Sequence, residues 1–304
     1  MTKAARLVNF QGRKTMTDRA AGAHTNWAAM ELPDAWPDQL NWRYPTTALR
    51  LLWIALWGSR KKVQLPPGLP GAERIPKYVL QEFHNLPNGN YSKHISRGYA
   101  RNFDRTMLGT MAAGRARLAQ ALQGAQHVLD LGCAGGHMAG VLQAAGVPRV
   151  TGLDPSPYLL QFAAQTYPGV DWVQATAEDT GLPDACVDGV AVCFLFHEIP
   201  PRYLRQVLAE LRRIVRPGGR LAVLEPSKVQ VTLRPWALWR AHGWRGLYFK
   251  LLASRVFEPF LAAWHSEDFA ARLAENGFRV ELDESDCPFR HVLAVREHSP
   301  ADSL

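Results

Sequence analysis

The chain has 304 residues, of which 47% are hydrophobic, so it can bury one doubly wound core with about a hundred residues to spare. Its net charge of +8 is unevenly distributed, because residues 1–105 hold 16 Lys and Arg against 7 Asp and Glu. A basic extension beside a near-neutral domain indicates contact with a membrane surface or a nucleic acid, or else a solvated tail.

The four cysteines show neither C-x-x-C pairing nor the spacing of a zinc site. We therefore expect no structural disulfide, as is usual in a reducing compartment. The first residues contain charges but no apolar run followed by a cleavage site, so the sequence predicts no secretory signal and a cytoplasmic protein.

Residues 1–75 are predicted to form the basic extension, in which prolines interrupt residues 1–45 and favour an irregular arm. The apolar stretch 51–57 is far shorter than the roughly 20 residues that cross a bilayer. Because basic residues flank it, it is interpreted either as a segment at the lipid headgroups or as a short helix packed on the domain. The Pro/Gly-rich stretch 65–71 predicts a linker.

Residues 76–125 are predicted to form a helical lid, residues 126–298 the main domain, and residues 299–304 a tail. In the main domain, β-branched runs alternate with amphipathic stretches. The predicted strands are 127–131, 149–153, 170–174, 188–194, 219–225, 278–284 and 291–296, and the predicted helices are 136–145, 157–166, 201–214 and 266–275. Pro217-Gly218-Gly219 is expected to separate the third of these helices from its strand. The pattern predicts an α/β fold with a doubly wound, mostly parallel seven-stranded sheet.

A glycine-rich turn, Leu131-Gly-Cys-Ala-Gly-Gly136, joins the first predicted strand to the helix after it. Small residues allow the backbone to approach a ligand closely there. Asp154 ends the next predicted strand, where its carboxylate can accept both hydroxyls of a ribose. The two features together predict a nucleoside cofactor.

The spacing of the turn separates two kinds of nucleoside cofactor. A dinucleotide turn reads G-x-G-x-x-G/A, but counting from Gly132 places Ala134 at the second glycine and His137 at the last position. Asp130, just before the turn, would repel a pyrophosphate and is better placed to organise a cationic amino-acid group. The turn therefore fits S-adenosylmethionine better than a dinucleotide.

Further motifs follow in order along residues 99–297. They are Asp130–Gly136, Asp154, Ala177-Glu178-Asp179 with Leu182-Pro183, Asp188–His197, Leu211–Gly219, Leu224–Lys228 and His265–Phe278. Together they resemble the class I methyltransferases, particularly the ubiquinone/menaquinone C-methyltransferase-like branch. The resemblance implies a Rossmann-like fold and S-adenosylmethionine as cofactor, and methyl transfer from that cofactor requires no metal.

The resemblance also implies a set of cofactor-binding residues. These are Asp130, Gly132, Ala134, Gly136, Asp154, Ala177 and Glu178. Thr176 stands where the family usually has an acid that contacts the adenine amino group. Tyr99 in the lid is a further candidate, and Cys193 at the end of the fourth strand either touches the cofactor or fills the core.

Methyl transfer from a sulfonium is an in-line displacement, and a neutral acceptor often has to lose a proton. His197, just past the fourth predicted strand, is the candidate base, and Glu198 is the residue expected to orient it. The alternative is that His197 packs the start of the next helix.

Residues 228–264 form a predicted insertion rich in Trp, Phe, Lys and Arg. It is interpreted as a roof over an apolar acceptor that can also contact lipid, or as a helix pair that buries its aromatic side chains. The sequence thus predicts methylation of a small apolar or aromatic acceptor, with peripheral membrane contact. The alternatives are a nucleic-acid methyltransferase, disfavoured because Phe196-His197-Glu198 replaces a polar-Pro-Pro-aromatic motif, and a membrane-peripheral protein that binds the cofactor without catalysis.

Overall fold

A computed structural model describes residues 25–57 and 61–298, without the side chains of residues 55–57. The strands are β1 (His127–Leu131), β2 (Arg149–Asp154), β3 (Asp171–Gln174), β4 (Val187–Cys193), β5 (Val215–Pro226), β6 (Phe278–Ser285) and β7 (Phe289–Arg296). Within this part of the chain they form one seven-stranded sheet in the order β3-β2-β1-β4-β5-β7-β6. The sheet is parallel from β3 to β5, and β7 runs antiparallel to both of its neighbours. The predicted fold class is confirmed.

The α-helices of the described residues cover both faces of the sheet or belong to the extension and the insertion. They are α1 (Pro45–Trp57), α2 (Lys93–Thr106), α3 (Met111–Ala121), α4 (His137–Ala144), α5 (Pro157–Thr166), α6 (Pro201–Ile214), α7 (Val229–Thr232), α8 (Pro235–Arg255), α9 (Leu261–Ser266) and α10 (Phe269–Glu275). All five residues of β1 are buried, as expected for a parallel strand that is covered on both sides. Two apolar clusters fill the spaces between the sheet and its helices.

Two predicted boundaries are wrong. Pro217-Gly218-Gly219 does not separate α6 from its strand, because β5 starts at Val215 and its register against β4 shifts before Arg220. Gly218 takes a φ of +76°, so the extra residues form a bulge inside the strand. The helix predicted at 266–275 starts only at Phe269, since the side chain of Asp268 accepts a hydrogen bond from Ala271 N and begins α10, and Ser266 ends the preceding helix α9.

The described part of the extension lies against the main domain. The indole nitrogen of Trp27 donates to the Trp172 carbonyl at 3.1 Å, and the Tyr158 hydroxyl donates to the Pro33 carbonyl at 2.7 Å. The apolar stretch 51–57 lies within α1. In the Pro/Gly-rich stretch that follows, Leu69 is buried in an apolar cluster. Residues 1–24, 58–60 and 299–304, which include most of the predicted arm, Arg60 and the predicted tail, lie outside the described residues.

Candidate active site

The glycine-rich turn between β1 and α4 takes left-handed backbone conformations at alternate residues. Gly132, Ala134 and Gly136 have φ values of +70°, +45° and +79°. A Cβ added at Gly132 would lie 2.7 Å from a methyl carbon of Leu195, so only glycine fits there. Ala134 tolerates the conformation at a cost of roughly 1–2 kcal/mol. The turn therefore keeps its backbone exposed to the space above the sheet.

Asp154, at the end of β2, holds this turn in place. Its Oδ2 accepts a hydrogen bond from Ala134 N at 3.0 Å, and its Oδ1 accepts one from Ser156 N at 2.8 Å. Burial raises the pKa of Asp154 to about 7, and the hydrogen bonds from the backbone oppose that rise. The carboxylate is thus fixed in orientation, with lone pairs left for a ligand.

Asp130, at the end of β1, caps the start of α4. Its Oδ2 accepts a hydrogen bond from Ala139 N at 2.9 Å, whereas its buried Oδ1 has no hydrogen-bond partner. Burial raises the pKa of Asp130 to about 7. A buried, unpartnered carboxylate oxygen is costly unless a ligand satisfies it, and a cation does so best. The residue therefore fits the cationic amino-acid group of the expected cofactor.

A cavity at the carboxyl ends of β1, β2 and β4 brings most of the expected site residues together. Those that line it are Tyr99, Asp130, Gly132, Ala134, Asp154, Ala177, Cys193 and Glu198, along with Thr176. Three expected residues are not in its wall: Gly136, Glu178 and His197. Gly136 starts α4 and packs against Trp172, and the Glu178 carboxylate accepts a hydrogen bond from the Tyr78 hydroxyl at 3.0 Å.

Cys193 lies in the cavity wall as a neutral thiol. Burial raises its pKa to about 12. It neighbours Arg115, which is held by a double hydrogen bond to Asp104, both distances being 2.7 Å. A neutral thiol can contact a cofactor or an acceptor but is a poor nucleophile.

His197 is completely buried and does not line the cavity. Its Nδ1 lies 2.6 Å from Oε2 of Glu225, a buried carboxylate that also accepts hydrogen bonds from the backbone of Leu195 and Phe196 at 2.8 Å each. Although burial opposes the charged form, the carboxylates of Glu225 and Glu258 hold the pKa of His197 well above its usual value. Nδ1 of His197 therefore donates its hydrogen to the Glu225 carboxylate.

The expectation that Glu198 orients His197 is wrong. Oε1 of Glu198 lies 3.0 Å from Nε2 of His84, and Glu225 is the partner of His197. The reason is the short 3-10 turn at Phe196–Glu198, which directs consecutive side chains differently. His197 faces the end of β5, and Glu198 lines the cavity.

His84 and Glu258 complete a cluster of charged groups that the sequence analysis missed. Nε2 of His84 lies 3.6 Å from Oε1 of Glu258. The two segments are joined by backbone contacts, because His84 N donates to the Phe257 carbonyl at 3.1 Å and Phe257 N donates to Oδ1 of Asn85 at 3.1 Å. No spacing rule connects residues so far apart in the chain, although His84 has an unusual φ of +55°.

Aromatic side chains form much of the remaining cavity wall. They are Tyr78, Phe83, Tyr91, Tyr99, Phe103 and Phe194. The Tyr99 ring stacks on His84 with a centroid separation of 5.3 Å. Phe194 has a φ of +62°, an uncommon conformation for a bulky residue, and packs edge-on against His197. The wall on this side of the cavity is therefore largely aromatic, with the Glu198 carboxylate among its rings.

Residues 129–223 match the family model described as a methyltransferase domain. This part of the chain is therefore similar to the methyltransferases, as the sequence predicts. The cofactor is S-adenosylmethionine. The sequence predicts this cofactor from the turn, Asp130 and Asp154, and the geometry of these residues fits the molecule.

Several known proteins are similar to the chain over part of its length. The ubiquinone/menaquinone biosynthesis C-methyltransferase of Rubrivivax gelatinosus is 35% identical over 143 residues, which cover 47% of this chain and 51% of that protein. The trans-aconitate 2-methyltransferase of an Azoarcus species is 33% identical over 171 residues, covering 53% and 60%. The chain thus spans about half the length of the curated relatives it matches.

A solved structure, the putative S-adenosylmethionine-dependent methyltransferase from Listeria monocytogenes, is similar with a TM-score of 0.45 at 17% identity. The similarity covers 62% of this chain and 100% of that one.

Proposed function

We propose that the chain transfers the methyl group of S-adenosylmethionine to a small apolar or aromatic acceptor. The observation that carries the proposal is a single cavity with two different walls. One wall holds the glycine-rich turn with Asp130 and Asp154, and the other holds aromatic rings with Glu198. Both lie at the carboxyl ends of the strands, where open α/β sheets bind ligands.

The first wall supplies the groups that would hold the cofactor. Asp154 would accept hydrogen bonds from the ribose hydroxyls, and the unpartnered Oδ1 of Asp130 would face the ammonium group. Thr176 and Ala177 would lie beside the adenine, where a hydroxyl replaces the acid common in the family. The cofactor supplies an electrophilic methyl group, and the protein holds it in a partly dry site.

Glu198 is the residue that we propose to meet the acceptor. Its carboxylate lines the cavity and can accept a proton from an acceptor hydroxyl, whereas His197 lies behind the wall formed by Phe194. We therefore assign His197 a positioning role. The aromatic lining supports an acceptor with a flat, apolar body, and the relative named as a ubiquinone/menaquinone C-methyltransferase is consistent with such a substrate.

The test is release of S-adenosylhomocysteine by the purified protein with S-adenosylmethionine and a panel of phenols, hydroquinones and aliphatic carboxylates. We expect release with the aromatic acceptors, and a fall in kcat of about 10² to 10⁴ for Glu198→Gln, the range for losing a general base. Asp171→Asn, outside the cavity lining and paired with Arg149, is the matched carboxylate control and should keep the wild-type kcat. Release only with carboxylates, or full activity of Glu198→Gln, would refute the proposed acceptor class or the role of Glu198.

We also propose that α8 contacts an anionic membrane surface. Phe249 and Trp264 of the insertion are buried, but Trp236, Trp239 and Trp244 are 66%, 54% and 56% exposed. Arginines at 234, 240 and 245 lie beside them, and tryptophan with basic side chains is typical of interfacial helices. None of the helices within 25–57 and 61–298 is long and apolar enough to cross a bilayer.

Sedimentation with lipid vesicles tests this contact. The protein should pellet with vesicles that contain phosphatidylserine more than with pure phosphatidylcholine, and salt should weaken the attraction. Replacing Trp236 and Trp239 together by Ser should reduce recovery, whereas Arg279→Ser on the edge strand β6 should not. Equal recovery from both vesicle types, or tighter binding to duplex RNA than to lipid, would contradict the membrane role.

A further inference from the structure

Three side chains next to the acceptor side of the cavity point their ligand atoms at one another. Nε2 of His84, Nε2 of His197 and a carboxylate oxygen of Glu258 all lie within 4.8 Å of one another. Oε1 of Glu258 is 3.6 Å from the His84 nitrogen and 3.7 Å from the His197 nitrogen. These separations are too long for hydrogen bonds. They suit ligands that share one ion, because bonds of about 2.0–2.2 Å separate neighbouring ligand atoms by roughly 3–3.6 Å.

The Nε2 atom of His197 is the clearest sign of a missing ligand. The residue is completely buried, and this nitrogen has no hydrogen-bond partner. Buried polar atoms are almost always paired, so an unpartnered imidazole nitrogen that faces a second imidazole and a carboxylate needs an explanation. A metal ion would satisfy all three groups at once.

The surroundings of the cluster match those of a metal-binding histidine. The other ring nitrogen of His197 is bonded to the Glu225 carboxylate at 2.6 Å, and metal-ligating histidines commonly bond a carboxylate in this way. Glu225 is itself held by the backbone amides of Leu195 and Phe196. The Tyr99 ring stacks on His84 and fixes its plane. The ligand atoms are therefore preorganised.

The electrostatic environment also favours a cation. The carboxylates of Glu198, Glu225 and Glu258 lie around the two imidazoles, with Glu198 3.0 Å from His84 and Glu225 2.6 Å from His197. Their negative charge would stabilise a divalent ion.

We propose that His84, His197 and Glu258 bind one divalent first-row transition-metal ion. Two imidazole nitrogens and one carboxylate suit zinc, cobalt or iron better than magnesium, which prefers oxygen ligands. No metal was expected from the sequence, because methyl transfer requires none, and three ligands this far apart in the chain form no recognisable motif. Glu198 lies 3.0 Å from His84 and also lines the cavity, so the cluster adjoins the cavity. An ion bound by the cluster would hold an oxygen atom of the acceptor. That use rests on the proposed function, whereas binding of the ion does not.

The experiment is a titration of the full chain with Co²⁺ and Zn²⁺ after dialysis against a chelator. We expect one ion per chain by calorimetry, visible d–d absorption with Co²⁺, and a rise in Tm on adding Zn²⁺. Mg²⁺ should produce none of these. His84→Ala and Glu258→Gln should each weaken Co²⁺ binding at least tenfold, and Glu225→Gln by about 10-fold to 100-fold, the range for losing an outer hydrogen-bond partner.

His242→Ala is the matched control, because His242 also lies 3.6 Å from a carboxylate oxygen, that of Asp286, outside the cluster. It should retain full Co²⁺ binding. Circular dichroism checks that each variant is folded, and the partly exposed Glu258→Gln decides the question if His84→Ala does not fold. The proposal is overturned if the folded wild-type protein binds neither Co²⁺ nor Zn²⁺, or if binding survives both His84→Ala and Glu258→Gln. The cluster would then be a network of ion pairs and not a metal site. Because these readouts need no acceptor, a failed methylation assay would not affect them.

Discussion

On the nucleoside side of the cavity, the groups that face a ligand come from two neighbouring strand ends, at residues 130–136 and at Asp154. On the proposed acceptor side, Glu198 lines the cavity and contacts His84, which lies beside Glu258, and the three residues come from segments that are far apart in the sequence. The first wall is made largely by backbone conformation and the second by side chains that meet only in the fold. The two walls therefore differ in how far a sequence can reveal them.

The nucleoside side can be predicted from the sequence, because its backbone geometry restricts which residue types can stand at single positions. A positive φ and a close contact with Leu195 require glycine at position 132, and a carboxylate at the end of β2 is needed to hold the turn at Ala134. The acceptor side has no such restriction. A histidine in a turn and a glutamate after a helix are ordinary residues until the fold brings them within 3.6 Å.

The largest effect on cofactor affinity is expected from Asp154→Ala, on the nucleoside side. Loss of hydrogen bonds to a charged group should weaken binding of S-adenosylmethionine and S-adenosylhomocysteine by roughly 1.5–3 kcal/mol, or about 10-fold to 150-fold. Isothermal titration calorimetry measures it. Asp171→Ala is a suitable control, because that half-exposed carboxylate pairs with Arg149 at the far end of the sheet. Unchanged affinity in folded Asp154→Ala would remove Asp154 from the cofactor site.

A smaller effect is expected from pH. Burial raises the pKa of Asp130 and of Asp154 to about 7 in the protein without cofactor, and a cationic ligand favours the ionised carboxylates. Affinity for S-adenosylmethionine should therefore rise as pH increases through 7 and fall below it, by at most about tenfold per unit for each carboxylate. Calorimetry between pH 5.5 and 8.5 gives the profile.

Asp130→Asn separates the two carboxylates in the pH experiment, because an amide occupies the same space but does not titrate. The variant should bind more weakly at pH 8 and show a flatter profile than the wild-type protein. A wild-type affinity that stays constant across pH 7, or that falls as pH increases, would contradict this account of the two carboxylates.

Much of the fold could be predicted from the sequence. Apolar periodicity located α5 and α6 at their observed bounds, because Leu204, Val207, Leu208 and Leu211 form one buried stripe on α6. The bulge at Gly218 could not be found in this way, since a Pro-Gly-Gly run is compatible with a turn as well as with an irregular strand.

His197 shows how much of the candidate site could be predicted from the sequence. Its position after β4 was predicted, but the direction of its side chain depends on Glu225, whose buried carboxylate binds the backbone and the imidazole together. Glu225 belongs to a motif that the sequence displays, but its contacts depend on how the ends of β4 and β5 lie side by side. Local patterns predict where a residue lies, and the packing of neighbouring segments decides which way it faces.

The smallest effect is expected from Glu198→Gln on cofactor binding, and it tests most directly whether the cavity has two separate walls. S-adenosylhomocysteine is titrated by calorimetry into Glu198→Gln and into Asp154→Ala, under the conditions used for the wild-type protein. We predict that Glu198→Gln binds it within about twofold of wild type while Asp154→Ala loses at least tenfold, because only Asp154 holds the nucleoside. Equal losses in the two folded variants would show that Glu198 belongs to the cofactor wall, and would contradict the account of a cavity with separate nucleoside and acceptor sides.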